Sequence, residues 1–234
     1  MRIERLHDWQ LTTTEAKEQQ LQLALRVSRN NELGVPHFIA GVDMSVKRDA
    51  GIAAGAVVVL KYPELEVVEV GIAEEELGFP YIPGLLSFRE LPVILRACEK
   101  LSINPDLVLV DGQGIAHPRR FGLASHLGLF LDTPTIGCAK SLLCGSHVAP
   151  GDEAGNYEGI TDSGEIIGVV LRTKRRIKPV YVSIGHKVDL ATAIHWVLSC
   201  CRGYRLPEPT RLAHLAAGEN LKQAKVLSAP AKNY

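Results

Sequence analysis

The sequence has no surplus of charge of either sign: 26 Lys and Arg stand against 26 Asp and Glu. Proteins that coat nucleic acid through bulk positive charge are usually strongly basic, so that class is disfavoured. There is no C-x-x-C pair, and the five cysteines are an odd number with Cys200 and Cys201 adjacent. A zinc ribbon or a disulfide framework is therefore not expected, and a reduced, cytoplasmic setting with thiols buried as small hydrophobes is. Long apolar runs are missing too. The longest lies around Ile52–Leu60, far short of the roughly 20 residues that span a bilayer. No apolar h-region follows the first residues, so a secretory leader is not expected either. Repeats, low-complexity tracts and linkers are absent from the 234 residues, which suits one domain over 1–234.

What is present begins with a hidden asymmetry. Residues 1–117 carry 17 acids and 11 bases, whereas residues 118–234 carry 9 acids and 15 bases. Thr12–Thr14 followed by Glu15 reads as the cap of a polar surface helix running to about Asn31. His37–Ser45, Ile52–Leu60 and Glu64–Ile72 read as three consecutive strands. Leu85 to about Leu101 reads as a helix, Asp106–Val110 as a buried strand, Phe121–Leu131 as a packed helix and Thr135–Cys138 as a short strand. Ser163–Arg172 and Val180–Ile184 are further strands, and Asp189–Arg202 and Thr210–Ala217 further helices. The Gly- and acid-rich stretch Ala149–Ser163 reads as a mobile surface loop. Consecutive strands pair antiparallel and strands joined through helices run parallel. The expected fold is therefore α/β, one mixed sheet with helices on both faces.

Two apolar strands end on an acid, Asp43 in AGVDMS and Asp111 in LVLVDG. Singly, each is an ordinary turn residue. On neighbouring parallel strands about 4.8 Å apart, both carboxylates would emerge at the edge where open α/β sheets place ligands. Carboxylates that close repel unless a proton or cation intervenes, and hard divalent ions are the natural partner. Glu90 in SFRE has two readings. In one, Ser87 and Glu90 form a capping box; in the other, Glu90 points across the sheet edge towards Asp43 and Asp111. Pro92 complicates the first, because a helix starting at Phe88 loses a hydrogen bond there.

Four strings, FPYIPGLLSFRE (79–90), DLVLVDGQGIAHPRRFGLASHLG (106–128), PTIGCAKSLLCG (134–145) and GYRLPEPTRLAHLA (203–216), resemble the endonuclease V family, and GVDMS (41–45) fits its first acidic motif. The resemblance covers roughly residues 37 to 217 in the family's order. It implies a ribonuclease H-like fold. It also implies a metal-dependent endonuclease that nicks inosine-containing DNA at the second phosphodiester bond 3′ of the lesion, as a step of DNA repair.

Within that resemblance the acidic triad falls on Asp43, Glu90 and Asp111, which would hold magnesium, with manganese as a substitute. The aromatic wedge falls on Pro80, Tyr81, Ile82 and Pro83, and prolines stiffen such a loop. His117, Lys140 and His214 take the family's basic and imidazole positions in catalysis, and Arg119 and Arg120 would contact phosphate. By the same analogy Gly112, Gly114, Gly137 and Leu143 line a lesion pocket. The run 172–178 adds Arg175 and Arg176 as further phosphate contacts. Two positions depart from the family pattern. Val46 stands where an aromatic is frequent, and Gln113 where Asn or His is. A monomer free of membrane is expected. Three rival readings stand beside this one: an inosine-specific endoribonuclease acting on RNA, an inosine-binding module that does not cut, and a thiol hydrolase using Cys138 or Cys144 with His117 or His147.

Overall fold

The computed structural model describes residues 2–47 and 51–218. Its eight strands are β1 (Phe38–Lys47), β2 (Ile52–Lys61), β3 (Glu66–Glu76), β4 (Leu107–Val110), β5 (Thr135–Ala139), β6 (Tyr157–Asp162), β7 (Glu165–Leu171) and β8 (Val180–His186). Its helices are α1 (Thr13–Ala24), α2 (Leu86–Glu99), α3 (Leu123–Leu131), α4 (Leu190–Ser199) and α5 (Glu208–Ala217). The strands form one sheet in the order β3-β2-β1-β4-β5-β8-β7-β6. β1, β4 and β5 run parallel at its centre, and antiparallel strands flank them on both sides. This is the mixed sheet expected from the strand and helix order.

Side-chain alternation builds a core on each face. In β2, Val58 and Leu60 face one way and Val57 and Val59 the other; in β4, Leu107 and Leu109 oppose Val108 and Val110. The first set packs with α4 and α5 through Trp196, Leu212 and Ala213. The second packs with α2 and α3 through Leu91, Ile94, Leu123 and Leu127. Strands covered on both sides show why β2 and β4 read as unbroken apolar runs.

Three elements differ from the sequence reading. Thr12 and Glu15 do form a capping box, with Thr12 N–H donating to Glu15 Oε2 at 2.8 Å. The helix nevertheless stops at Ala24, because the following chain bonds elsewhere: Ser28 N–H donates to His186 Nδ1 and Glu32 N–H to the Lys187 carbonyl. The stretch expected as a mobile loop contains strand β6, paired antiparallel with β7. A single fully buried residue, Ile160, anchors it against Ile167 and Ala116. Finally, α2 begins at Leu86, so Ser87 is no cap; its hydroxyl instead bonds His126 Nδ1 at 3.0 Å.

Candidate active site at the carboxyl edge of the sheet

β1 and β4 pair in parallel up to Val42 and Val110, and Asp111 N–H donates to the Val42 carbonyl at 3.0 Å. The next residue on each strand is an aspartate. Glu90 enters from α2, and its carboxyl feels the charge of both Asp43 and Asp111. The side chain of Lys140 enters just past the end of β5 and places Nζ 2.5 Å from Asp111 Oδ2. That oxygen is buried and accepts no well-directed hydrogen bond, so the contact is an ion pair.

His214 arrives from the opposite face. α5 lies directly on β1, so closely that a Cβ on Gly41 would stand 1.9 Å from the Pro209 carbonyl oxygen. At its other end the Ser45 hydroxyl donates to the Ala217 carbonyl. Strapped at both ends, α5 presents His214 Nδ1 to Asp43 Oδ2 at 2.6 Å, and Asp43 Oδ1 accepts from the Met44 N–H at 2.8 Å.

Ligand atoms of Asp43, Asp111 and His214 all lie within 4.8 Å of one another. At such separations two like charges repel by roughly 4 kcal/mol at an effective dielectric near 20. The proton affinities of the cluster follow from this crowding. Burial, then Asp43 and Asp111, push the Glu90 carboxyl up to about 8. Asp111 is raised by burial and by Asp43 against the pull of Lys140. The hydrogen bond to Asp43 raises His214. Two crowded, mostly buried carboxylates with an imidazole beside them fit a hard divalent cation.

This predicts a pH dependence. Glu90 in the folded protein keeps a proton that the unfolded chain releases near its ordinary value of 4.5. Stability of the metal-free protein therefore falls as pH rises from about 5 towards 8.5, by up to about 1.4 kcal/mol per pH unit for each such proton. His214, also raised, contributes stability that is present below its ordinary value and lost as pH rises through its folded one. Melting curves in EDTA should show the decline, and saturating magnesium should stabilise the protein more at pH 8.5 than at pH 6.

Beside the acids, Tyr81, Leu86, Ser87, Gly112, Gln113 and Leu143 help line a mainly apolar cavity of about 120 Å³. Tyr81 is 69% exposed, while Ile82 packs inward against Phe79 and Phe88. Pro83 also lines the cavity, and Pro80 lines a neighbouring groove with Trp9 and Arg89. Gly112 and Leu143 reach the cavity wall; Gly114 and Gly137 pack beneath it against backbone, where a Cβ on Gly137 would stand 2.4 Å from the Gly114 nitrogen.

Other expected residues serve internal contacts. His117 is buried, with Nε2 on the Gly84 carbonyl at 3.0 Å and Nδ1 accepting from the Arg119 N–H at 3.1 Å. Burial and Arg119 push it down to about 4, so its ring is neutral. Arg119 bonds Gln20 and Gly84, and Arg120 pairs with Glu165 and Asp162. These donors are engaged within the chain rather than left free. Arg175 pairs with Glu153, and Arg176 takes a left-handed φ of +57°. The thiol reading falls, because burial pushes Cys138 well above and Cys144 above the ordinary thiol range.

Two residues at the site are given no role by the sequence. Arg205 donates to the Lys140 carbonyl at 2.7 Å, fixing the backbone that aims the lysine. Gln20, in an otherwise polar helix, is 1% exposed and lies on the cavity wall.

A parallel centre flanked by antiparallel strands, with acids at the carboxyl ends of two adjacent parallel strands, defines a ribonuclease H-like fold bearing a metal-suited acidic cluster. The endonuclease V family model matches residues 20–215. An endonuclease V of Dehalococcoides mccartyi is 52% identical over 219 residues, covering 94% of this chain and 98% of that protein. The crystal structure of the Streptomyces avermitilis endonuclease V superposes with a TM-score of 0.87 at 39% identity, covering 96% of this chain and 100% of that one. The Ciona intestinalis endonuclease V, in complex with a 24mer DNA containing an inosine followed by a ribo-adenosine, superposes with a TM-score of 0.77 at 29% identity, covering 90% and 98%. The chain belongs to the endonuclease V family. Among the described residues, no helix is long and apolar enough to cross a membrane.

Proposed function

We propose that this protein recognises inosine in DNA and hydrolyses the second phosphodiester bond on its 3′ side, using magnesium, with manganese as a substitute. One observation carries the reading. The cation-seeking cluster and the cavity share a strand end, since Asp111 belongs to the cluster and Gly112 and Gln113 line the cavity. The inosine-containing DNA in the Ciona complex supports the choice of lesion.

Asp43, Asp111 and Glu90 would hold the metal. Bound there, a divalent cation supplies an activated water, charge relief at phosphorus and stabilisation of the leaving 3′ oxygen. Lys140 offers N–H donors to a phosphate oxygen on the same edge. His214 spends Nδ1 on Asp43, which leaves Nε2 to hold or exchange a proton with water. Tyr81, exposed between Pro80 and Pro83, would enter a base stack. Unstacking costs a few kcal/mol, least for a weakly paired base. Tyr81→Ala is expected to raise KM for an inosine duplex by about tenfold and to lower the preference over undamaged duplex, with a smaller change in kcat. Equal KM values in a steady-state nicking assay would remove the wedge.

The thiols are all unpaired, which supports a reducing, cytoplasmic setting, and a monomer is the assembly we expect. The test is magnesium-dependent nicking of matched DNA and RNA oligonucleotides, each with one inosine. Cleavage of the DNA two bonds 3′ of the base supports the reading. Cleavage confined to RNA replaces it with the ribonuclease, through a contact to the ribose 2′-OH. Tight binding without a cut replaces it with a binding module.

A further inference from the structure

The loop that carries Tyr81 ends at Gly84, and three side chains converge on one atom there. His117 Nε2 donates to the Gly84 carbonyl oxygen at 3.0 Å, Arg119 Nη2 at 2.6 Å and Gln20 Nε2 at 3.0 Å. A carbonyl oxygen has two lone pairs, so three donors more than fill it.

Each donor is itself held. The Arg119 N–H occupies His117 Nδ1, which makes Nε2 the protonated nitrogen. Arg119 Nε donates to Gln20 Oε1 at 2.5 Å, which turns the Gln20 amide so that its Nε2 serves Gly84 and, at 3.2 Å, the Phe121 carbonyl. Burying an amide is costly unless its groups are bonded, and every polar group of Gln20 is. Gly84 has φ +79°, and a Cβ there would stand 2.9 Å from Arg119 Nη2. Glycine alone allows both the conformation and the approach.

We infer that Gln20 is a positioning residue for base capture: with His117 and Arg119 it locks the Gly84 carbonyl and so holds the Tyr81 loop in place beside the cavity. The inference rests on the lesion-directed reading above. It gives α1, which reads from its composition as a mere surface helix, a part in recognition. It gives His117 and Arg119 work that acts through the loop rather than on phosphate.

The test compares wild-type protein with Gln20→Met, which keeps the length and removes every hydrogen bond. Steady-state nicking of an inosine duplex in magnesium is one readout. The other is fluorescence of a 2-aminopurine placed beside the inosine, with protein bound in EDTA. For Gln20→Met, KM is expected to rise about tenfold while kcat stays within about twofold. The fluorescence rise that reports unstacking should shrink in parallel. The melting shift on adding magnesium should remain, since the acids are untouched. Wild-type KM and fluorescence in the variant overturn the clamp, and so does a fall in kcat with KM unchanged. If Gln20→Met gives no cooperative melt, Arg119→Lys decides on the same readouts, because it keeps the charge and loses the Nε donor to Gln20. A wild-type protein that leaves the inosine strand intact overturns the lesion-directed reading along with the clamp. One that cuts while Gln20→Met keeps the wild-type KM overturns the clamp alone.

Discussion

Asp43→Ala is expected to abolish magnesium-dependent nicking, lowering the single-turnover rate by roughly 10³-fold or more, while binding to inosine DNA persists. The site leaves little room for substitution. Asp43 is buried, gives Oδ1 to its neighbour's N–H and Oδ2 to His214, and contributes to the charge that raises Glu90 and Asp111. None of its atoms lines the cavity, so the groups that meet the base remain. A second signature separates this from simple damage. Removing Asp43 removes a repelling charge from Glu90 and the partner that raises His214. The variant's metal-free melting temperature should therefore depend less on pH between 5 and 8.5 than the wild type's. A variant that nicks at near wild-type rate, or keeps the full pH dependence, contradicts the role given to Asp43.

The second large effect comes from a residue with no side chain. Gly41→Ala places a Cβ 1.9 Å from the Pro209 oxygen and 2.7 Å from the Thr210 nitrogen. Both are backbone atoms, so neither can swing aside, and α5 must lift from β1. Overpacking of this kind costs roughly 3 kcal/mol, or roughly 10 °C in melting temperature for a chain of this size. The same movement draws His214 away from Asp43, so nicking measured well below the melting point should fall by roughly 10-fold or more. Gly34→Ala is the matched control, since a Cβ there meets nothing within 4 Å. It should leave melting and nicking unchanged. If Gly41→Ala behaves like the control, α5 is not seated as described.

How much of this is legible in the sequence depends on what each residue's neighbours are. The parallel pair of aspartates is readable because each ends an apolar run, and a run of that type is a strand whatever surrounds it. That β1 lies beside β4 is not written in those runs, because β2, β3 and α2 separate the two strands along the chain. By contrast, β6 is held by Ile160 within a Gly- and acid-rich stretch, and one buried residue in six leaves almost no periodic trace. The overlong α1 has the converse cause. Residues 25–31 are as polar as the helix before them, and only contacts with β8 and its flank, more than 150 positions away, end it.

Charged and amide side chains are the least readable. Arg119 and Arg120 look alike in sequence, yet one bonds Gln20 and Gly84 and the other pairs with Glu165 and Asp162. Gln20 is a polar residue among polar residues, and its importance lies in the carbonyls and the Arg119 side chain it meets. Ser87 illustrates the limit of a motif: the spacing to Glu90 suits a capping box, but His126 takes the hydroxyl, and Glu90 lies where the charge of both aspartates reaches it.

In the function proposed, Asp43, Glu90 and Asp111 hold a divalent cation against the phosphate two bonds 3′ of an inosine. This arrangement is tested most directly by replacing one non-bridging oxygen of that single phosphate with sulfur and measuring single-turnover nicking in magnesium and in manganese. Sulfur binds magnesium poorly and manganese better. One of the two sulfur diastereomers is expected to be cut far more slowly than the normal strand in magnesium and to recover in manganese, while sulfur one bond further along has no effect. Equal rates for sulfur and oxygen in both diastereomers, or the same loss in both metals, would contradict it.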